Sequence, residues 1–446
     1  MDSGIRPESA AAPPPSARIK RVQRTALSLL VLGGVVNYID RATLSIGNPL
    51  IRHDLGVSIA DMGLLLSAFL WAYALAQLPA GALVDRVGPR KLLAAGMGLW
   101  SLAQIVAGLT TTFGQLFAAR AVLGLGESPQ FPTGARVARD WFNGHDRGTA
   151  TGIWNAASSL GTAISAPLLT FLMLWFGWRA MFVIMGVAGL VVAALWYALY
   201  RDARTVALTP EETLYRTAGD VTGEGQPVTV AEWRKLFRCR TTWGMIVGFF
   251  GVIYLTWIYT AWLPGYLELQ RHMSIKSTGW VTALPFAAGV IGSVSGGWFC
   301  DRLMLRYGVS PIDSRKYPMA TALTGMAACT AMAALVASNA LAIGLITLAM
   351  FLGYVASASA WAMVSVAAPA NCTGSIGAMQ NFGGYFGGAL APMVTGFIVQ
   401  ATGSFVPALL VGAALGLVCA AGYLVMIRRP ITEGELGVGA GAGAPA

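Results

Sequence analysis

Apolar residues in this chain gather in long, nearly unbroken runs. They show neither the every-second-residue alternation of a half-buried strand nor the one-sided stripe of a surface helix. The runs lie near 25–47, 60–80, 91–110, 113–135, 149–173, 180–200, 242–264, 279–299, 318–336, 340–364, 375–399 and 404–427. A helix of about 20 residues, rising about 1.5 Å per residue, crosses the roughly 30 Å hydrocarbon core of a bilayer. The pattern predicts an all-α membrane protein of twelve transmembrane helices, with little room for a soluble domain. Its longest polar interruption, residues 201–240, follows the sixth run and contains Pro210, Glu211, Glu212 and Gly219. This divides the chain into an N-tail (1–24), a first six-helix half (25–200), a linker (201–241), a second half (242–427) and a C-tail (428–446).

Composition agrees with a membrane protein. Hydrophobic residues make up 56 % of the chain and charged residues 11 %, against roughly 25 % charged in a soluble domain; the mean hydropathy is +0.62. A net charge of +10 alone would suggest a polyanionic partner, but its distribution argues otherwise. With the N-terminus inside, the outer loops hold only Arg52, Arg179, Arg271 and Lys276, Arg41 and Arg120 lie within spans, and the other Lys and Arg fall in the tails and even-numbered loops. This positive-inside asymmetry places both termini in the cytoplasm and removes the need for nucleic acid. The N-terminal stretch through Ser16 is rich in Ala and Pro and is expected to be disordered, and residues 437–446 are low-complexity Gly and Ala. Arg18, Lys20, Arg21 and Arg24 precede the first run as in a signal peptide, yet that run outlasts a short h-region and lacks a clear cleavage site, so it reads as an uncleaved span.

The cysteines (Cys239, Cys300, Cys329, Cys372, Cys419) are scattered, and His53, His145 and His272 fall in predicted loops. Neither set has metal-ligand spacing, so no metal or cofactor is expected. There is no phosphate loop and no nucleophile–base set, which argues against an ATP-driven pump and against an embedded enzyme.

Four charges stand where charge is costly. Asp40 and Arg41 interrupt the first run, Arg120 and Glu127 the fourth. A charge at the middle of a span costs about 2.5–3.5 kcal/mol on insertion scales and commonly marks a substrate or proton path. Arg120 and Glu127 are seven residues apart and share a helix face about 10 Å apart along the axis. Gly124 and Gly126 thin that helix, and Pro129 and Pro132 bend its end. Static salt bridges between helices are the plainer reading of the same residues.

A repeat supports two halves. Gly81-Ala-Leu-Val-Asp85-Arg86-Val-Gly88-Pro-Arg90-Lys91 follows the second run, and Gly297-Trp-Phe-Cys-Asp301-Arg302 follows the eighth. Internal repeats are the usual build of secondary transporters, with the substrate between the halves. The first copy resembles the cytoplasmic loop signature of the major facilitator superfamily. The resemblance implies gating roles for Gly81, Asp85, Arg86, Gly88, Arg90, Asp301 and Arg302, with Gly81 allowing close helix approach, Gly88 a tight turn, Asp85 facing a helix N-terminus or a basic partner, and Arg90 holding the next span's end.

Arg120-Ala-Val-Leu-Gly124-Leu-Gly126-Glu127-Ser-Pro129-Gln-Phe131-Pro132, then Trp141-Phe142, Asp146-Arg147-Gly148 and Gly177-Trp178-Arg179, with Asn37-Tyr38-Ile-Asp40-Arg41 before them, resemble the anion:cation symporter family within that superfamily. Its members include bacterial galactonate, glucarate and hexuronate transporters. The resemblance covers essentially 24–429 and is strongest through Arg179. It implies a monomeric, proton-coupled importer of a small organic anion in the lipid bilayer of a bacterial inner membrane, and not an enzyme; a proton-driven exporter on the same fold is the nearest rival. It implies that Arg41 and Arg120 meet the substrate carboxylate, that Asp40 and Glu127 take up protons, and that Tyr38, Tyr73, Asn381, Trp361 and Ser158 line the pocket. The second half departs from the sugar-acid pattern: Ile253-Tyr254 replaces Asn-Tyr, Ala358 and Ala360 flank Ser359, and Ser158 stands where sugar-acid members can carry an amide. This predicts a pocket with fewer hydrogen-bonding groups and leaves a less hydroxylated or aromatic carboxylate as an alternative substrate.

Overall fold

A computed structural model describes residues 14–143, 146–218, 234–367 and 373–432. Residues before 14, His145, the stretch 219–233, Cys372 and the tail from 433 lie outside the described residues, as does the side chain of Asp85. Among the described residues the chain is helical, without strands. In chain order the helices are α1 (Ala17–Leu55), α2 (Ile59–Val87), α3 (Pro89–Leu109), α4 (Phe113–Glu127), α5 (Gln130–Trp141), α6 (Arg147–Leu199) and α7 (Pro210–Thr217). They continue as α8 (Arg240–Leu269), α9 (Ile275–Tyr307), α10 (Asp313–Leu335), α11 (Asn339–Ala367), α12 (Thr373–Thr402) and α13 (Val406–Met426).

Ten of these are long and apolar enough to cross a membrane. Two local breaks account for the other crossings. α6 holds two helices joined at Gly177, whose φ of 82° suits only a residue without a Cβ. At Ser128 and Pro129 the fourth run divides into α4 and α5, because proline cannot continue the backbone ladder. Helix ends overrun the predicted spans, since hydropathy marks only the apolar stretch while caps set the real boundary. Ser16 accepts from Ile19 N–H at the start of α1, and Gly56 closes its end at φ 63°.

α1 packs on α6, α3 on α4 and α6, and α2 on α4; the second half repeats this with α9 on α11, α8 on α12 and α13, and α10 on α11 and α13. The two sets meet along α2–α12, α6–α9 and α1–α8. This pairing of two alike sets is the two-half build that the loop repeat predicts. The end of the bundle opposite the start of α1 and the end of α13 is tightly joined. There Ser45 donates to the Ala261 carbonyl at 2.7 Å and Ile59 N–H to Gln400 at 3.1 Å. Added Cβ atoms at Gly63 and Gly279 would strike Pro392 and Thr170. The Gly177-Trp178-Arg179 turn also works at this end: the Trp178 indole donates to Asp54 at 2.7 Å and Arg179 to the Thr110 carbonyl.

At the end where α1 begins and α13 ends lie the two loop signatures. Gly88 sits at φ 89°, and Asp202 accepts from Arg90 N–H at 2.9 Å, so the end of α6 caps α3. Arg90 donates on to the Tyr197 carbonyl and stacks on that ring. A Cβ at Gly88 would meet Asp202 at 2.8 Å. Gly88→Ala therefore combines a backbone penalty of about 1–3 kcal/mol with a blocked cap, and is expected to lower the melting temperature in detergent; an unchanged melting temperature would refute this account. Gly81 corrects one expectation: among the described residues nothing lies within 4 Å of a Cβ there, so no close helix approach is formed by them. Arg86 is exposed. In the second copy Asp301 accepts from Arg315 at 3.3 Å and Arg302 stacks on Trp298.

Between the halves, α7 lies against the ends of α1, α5 and α6. Gln23 donates to the Trp141 carbonyl and to the Tyr215 hydroxyl, which donates to Asp146. Ser16 donates to Glu212 at 2.8 Å, and this bond, with one from Thr209 N–H, holds that carboxyl below its ordinary range. A depressed carboxylate stabilises the fold above its unfolded pKa and loses that contribution as pH falls through the folded one. Acidification is expected to expose the 210–217 segment to protease, and Glu212→Gln to do so already at neutral pH; equal cleavage of the variant and the parent would contradict this.

Candidate functional site

The four intramembrane charges converge, but their pairing differs from the order in the chain. Neighbouring residues on a helix point about 100° apart, so Asp40 and Arg41 face different helices, and seven residues separate Arg120 from Glu127 too far for contact. The ion pair forms across helices: Arg41 Nε–H donates to Glu127 Oε2 at 2.7 Å. Asp40 and Glu127 have no exposed surface and Arg120 is 2 % exposed. Neither carboxylate oxygen of Asp40, nor Nε or Nη1 of Arg120, has a hydrogen-bond partner among the described residues.

Three rings surround the Arg41 guanidinium, Tyr38 at 4.7 Å, Tyr73 at 4.8 Å and Phe69 at 5.0 Å, and Phe69 also lies 5.5 Å from Arg120. Rings at this range attract a cation without competing for its N–H groups. Gly124 makes the arrangement possible. A Cβ there would strike the Phe69 carbonyl and Tyr73 N–H, so only glycine lets α2 reach α4 beside the charges. Gly126 does the same for Trp100 of α3.

A cavity of about 670 Å³ lies between the halves, and Arg41 is the one charged side chain among the described residues that line it. Tyr38, Trp361 and Asn381 also line it, as the sequence predicts. Arg120, Tyr73 and Ser158 do not. Arg120 is buried behind the wall. Tyr73 is fully buried and is joined to the cavity only by its partners: Gln77 donates to its hydroxyl at 2.8 Å and Tyr385 at 3.3 Å, and both of these line the cavity. The Ser158 hydroxyl donates to the Asn155 carbonyl in its own helix. The amide that lines this wall is Asn155, one turn earlier. Thr282 and Ser357 add hydroxyl groups from the second half, while the Thr256 and Thr260 hydroxyls donate to carbonyls of their own helix. Most of the lining is apolar, in keeping with a pocket of few hydrogen-bonding groups, and the polar groups that remain stand at positions the motif does not cover. Trp154, Trp257, Phe249 and Tyr354 supply flat apolar walls.

The family model of the Major Facilitator Superfamily matches residues 30–392. The chain belongs to the Major Facilitator Superfamily. Among relatives in that superfamily, the probable L-galactonate transporter of Escherichia coli strain K12 is 43 % identical over 94 % of this chain and 92 % of that protein. The probable galactarate/D-glucarate transporter of Bacillus subtilis strain 168 is 32 % identical over 93 % of each. Among solved structures, a bacterial homologue of the human lysosomal transporter Spinster, inward-facing and occupied, matches with a TM-score of 0.75 at 16 % identity, covering 91 % of this chain and 97 % of that one. That likeness establishes the shared fold. As a member of this superfamily, the chain is a membrane transporter and not an enzyme.

Proposed function

We propose that the protein imports a sugar acid of the galactonate type together with protons, by alternating access. The observation that carries this reading is Arg41: a guanidinium lining a cavity between two halves that has no other charged side chain among the described residues, with amides and hydroxyls around it. A guanidinium fork holds a carboxylate through two parallel N–H bonds. Asn155, Gln77 and Asn381 then suit a hydroxylated carbon chain, and the aromatic walls suit its C–H faces. The 43 % identical relative named for L-galactonate supports the same class. The chain's division at 201–241 and cytoplasmic termini belong to this reading. The tight contacts opposite the termini correspond to a carrier closed to the outside and open inward.

Coupling rests on the Arg41–Glu127 pair. A substrate carboxylate and Glu127 compete for one guanidinium. Protonation of Glu127 releases Arg41 to the substrate, and Asp40, buried near Arg120, is the second proton acceptor. Arg120 acts on this pair electrostatically from behind the wall. Gating by Gly81, Asp85, Arg86, Gly88, Arg90, Asp301 and Arg302 completes the cycle by setting the balance between the two states.

Proteoliposome uptake under an inward proton gradient tests the reading. L-galactonate is expected to accumulate above a tartrate, a benzoate and sulfoacetate; accumulation of benzoate alone would replace it with the aromatic alternative. Asn155→Ala and Asn381→Ala are each expected to raise KM by roughly 2- to 10-fold, the worth of one hydrogen bond of about 0.5–1.5 kcal/mol. Unchanged KM in both would remove the amides from the site.

A further inference from the structure

A second cavity, of about 630 Å³, lies far from the first, where α8 begins and α13 ends. Lys235, Arg238, Arg240, Arg428 and Arg429 line it, and no acidic side chain among the described residues does. Its walls are tied down. Thr241 donates to the Arg429 carbonyl at 2.9 Å, Ile431 N–H donates to the Ala367 carbonyl at 2.9 Å, and Leu236, Ile427 and Ile431 are buried as anchors. Arg240 and Arg428 both lean on the Val425 carbonyl at the end of α13, where a helix terminus favours cations. Arg238, Arg240 and Arg428 meet no carboxylate among the described residues.

The pocket's surroundings indicate what kind of anion fits. Trp243 and Phe237 are exposed beside it, with the Trp243 indole donating to the Phe237 carbonyl at 2.7 Å. Such half-polar rings sit at the level of lipid headgroups. The end of α13 lines the pocket, and the same helix exposes Val411, Val418 and Val425, seven residues apart and so on one face. A basic pocket thus sits at the end of a helix that carries an exposed apolar strip. A soluble anion uses only the first of these; a phospholipid uses both. Lys and Arg placed just beyond a span attract acidic lipid, and pockets between span ends take its headgroup.

We infer that this pocket binds the phosphate headgroup of an acidic phospholipid, with an acyl chain along α13. The site stands apart from the transport cavity and does not depend on the substrate.

The full-length protein in nanodiscs of phosphatidylcholine doped with phosphatidylglycerol supplies the test, with lipid retention read by native mass spectrometry. Wild type is expected to retain phosphatidylglycerol. The exposed double substitution Arg238→Gln/Arg428→Gln is expected to weaken retention by roughly 30-fold, about fivefold for each charge removed. Arg238→Lys/Arg428→Lys is expected to keep most of it, which separates charge loss from misfolding. Lys20→Gln/Arg24→Gln, equal in charge but on the other half, is expected to retain the lipid fully. Equal loss in both Gln pairs would overturn the proposal in favour of diffuse surface attraction. Displacement of the lipid by inorganic phosphate at matched concentration would overturn it in favour of a soluble anion.

Discussion

Arg41→Ala abolishes uptake, with an expected loss of roughly 100-fold or more. A bidentate carboxylate contact supplies two charge-assisted hydrogen bonds of about 1.5–3 kcal/mol each, and no other cation among the described residues lines the cavity to replace them. Arg41→Lys is expected to recover little, because an ammonium offers a point charge without the fork. The substitution has a second consequence. It strands Glu127, which is fully buried, and an unpaired buried charge costs about 3–5 kcal/mol. Stability loss and transport loss are separable by the double variant Arg41→Ala/Glu127→Gln: its melting temperature should return toward that of the parent while uptake stays absent. Uptake at the parent rate in Arg41→Ala would end the assignment of Arg41 to the substrate. Arg120 is expected to behave differently. Since it does not line the cavity, Arg120→Lys should preserve substrate affinity better than Arg41→Lys and shift the pH dependence instead.

The contrast between these two arginines marks how far the sequence could be read. Charge inside an apolar run is costly enough to stand out, so all four members of the cluster were visible in the sequence. Their partners were not, because a cross-helix contact depends on how α1, α2 and α4 approach, and Gly124 sets that approach through its missing Cβ. Asn155 escaped notice for a related reason. An uncharged amide costs less to bury than a charge, so it leaves a weaker mark, and Ser158 drew attention by its motif position. The fold was more legible than the site. Hydropathy located the crossings, and Pro129 signalled the break between α4 and α5. It could not locate helix ends, where Ser16 and Gly56 close α1 beyond its apolar stretch. The repeated loop signature was readable as a repeat, but the contacts of Arg90 with Asp202 and of Asp301 with Arg315 were not, since both partners lie outside the motif.

Glu127→Gln is expected to convert the coupled importer into an exchanger. The amide mimics the protonated acid and no longer competes as an anion for Arg41, which it meets at 2.7 Å in the parent. Counterflow of labelled substrate should therefore survive, while uphill accumulation on a proton gradient should fall to the equilibrium level. The binding equilibrium carries a sharper sign. If proton and substrate binding are positively linked, each raises the other's affinity by the same factor. Apparent substrate affinity of the parent should then fall as pH rises through the deprotonation of Glu127, and in Glu127→Gln it should stay high and flat. Asp40→Asn removes the other carboxylate and should also uncouple. It leaves the Arg41–Glu127 pair in place, however, so part of the pH dependence of binding should remain. Charge movement counts the protons: one per monoanion is electroneutral, whereas two carry one net charge and respond to a membrane potential by about 2.3 kcal/mol per 100 mV. Parent-like accumulation in both variants, with a parent-like pH dependence of binding, would show that the buried carboxylates are structural and that the driving ion enters elsewhere.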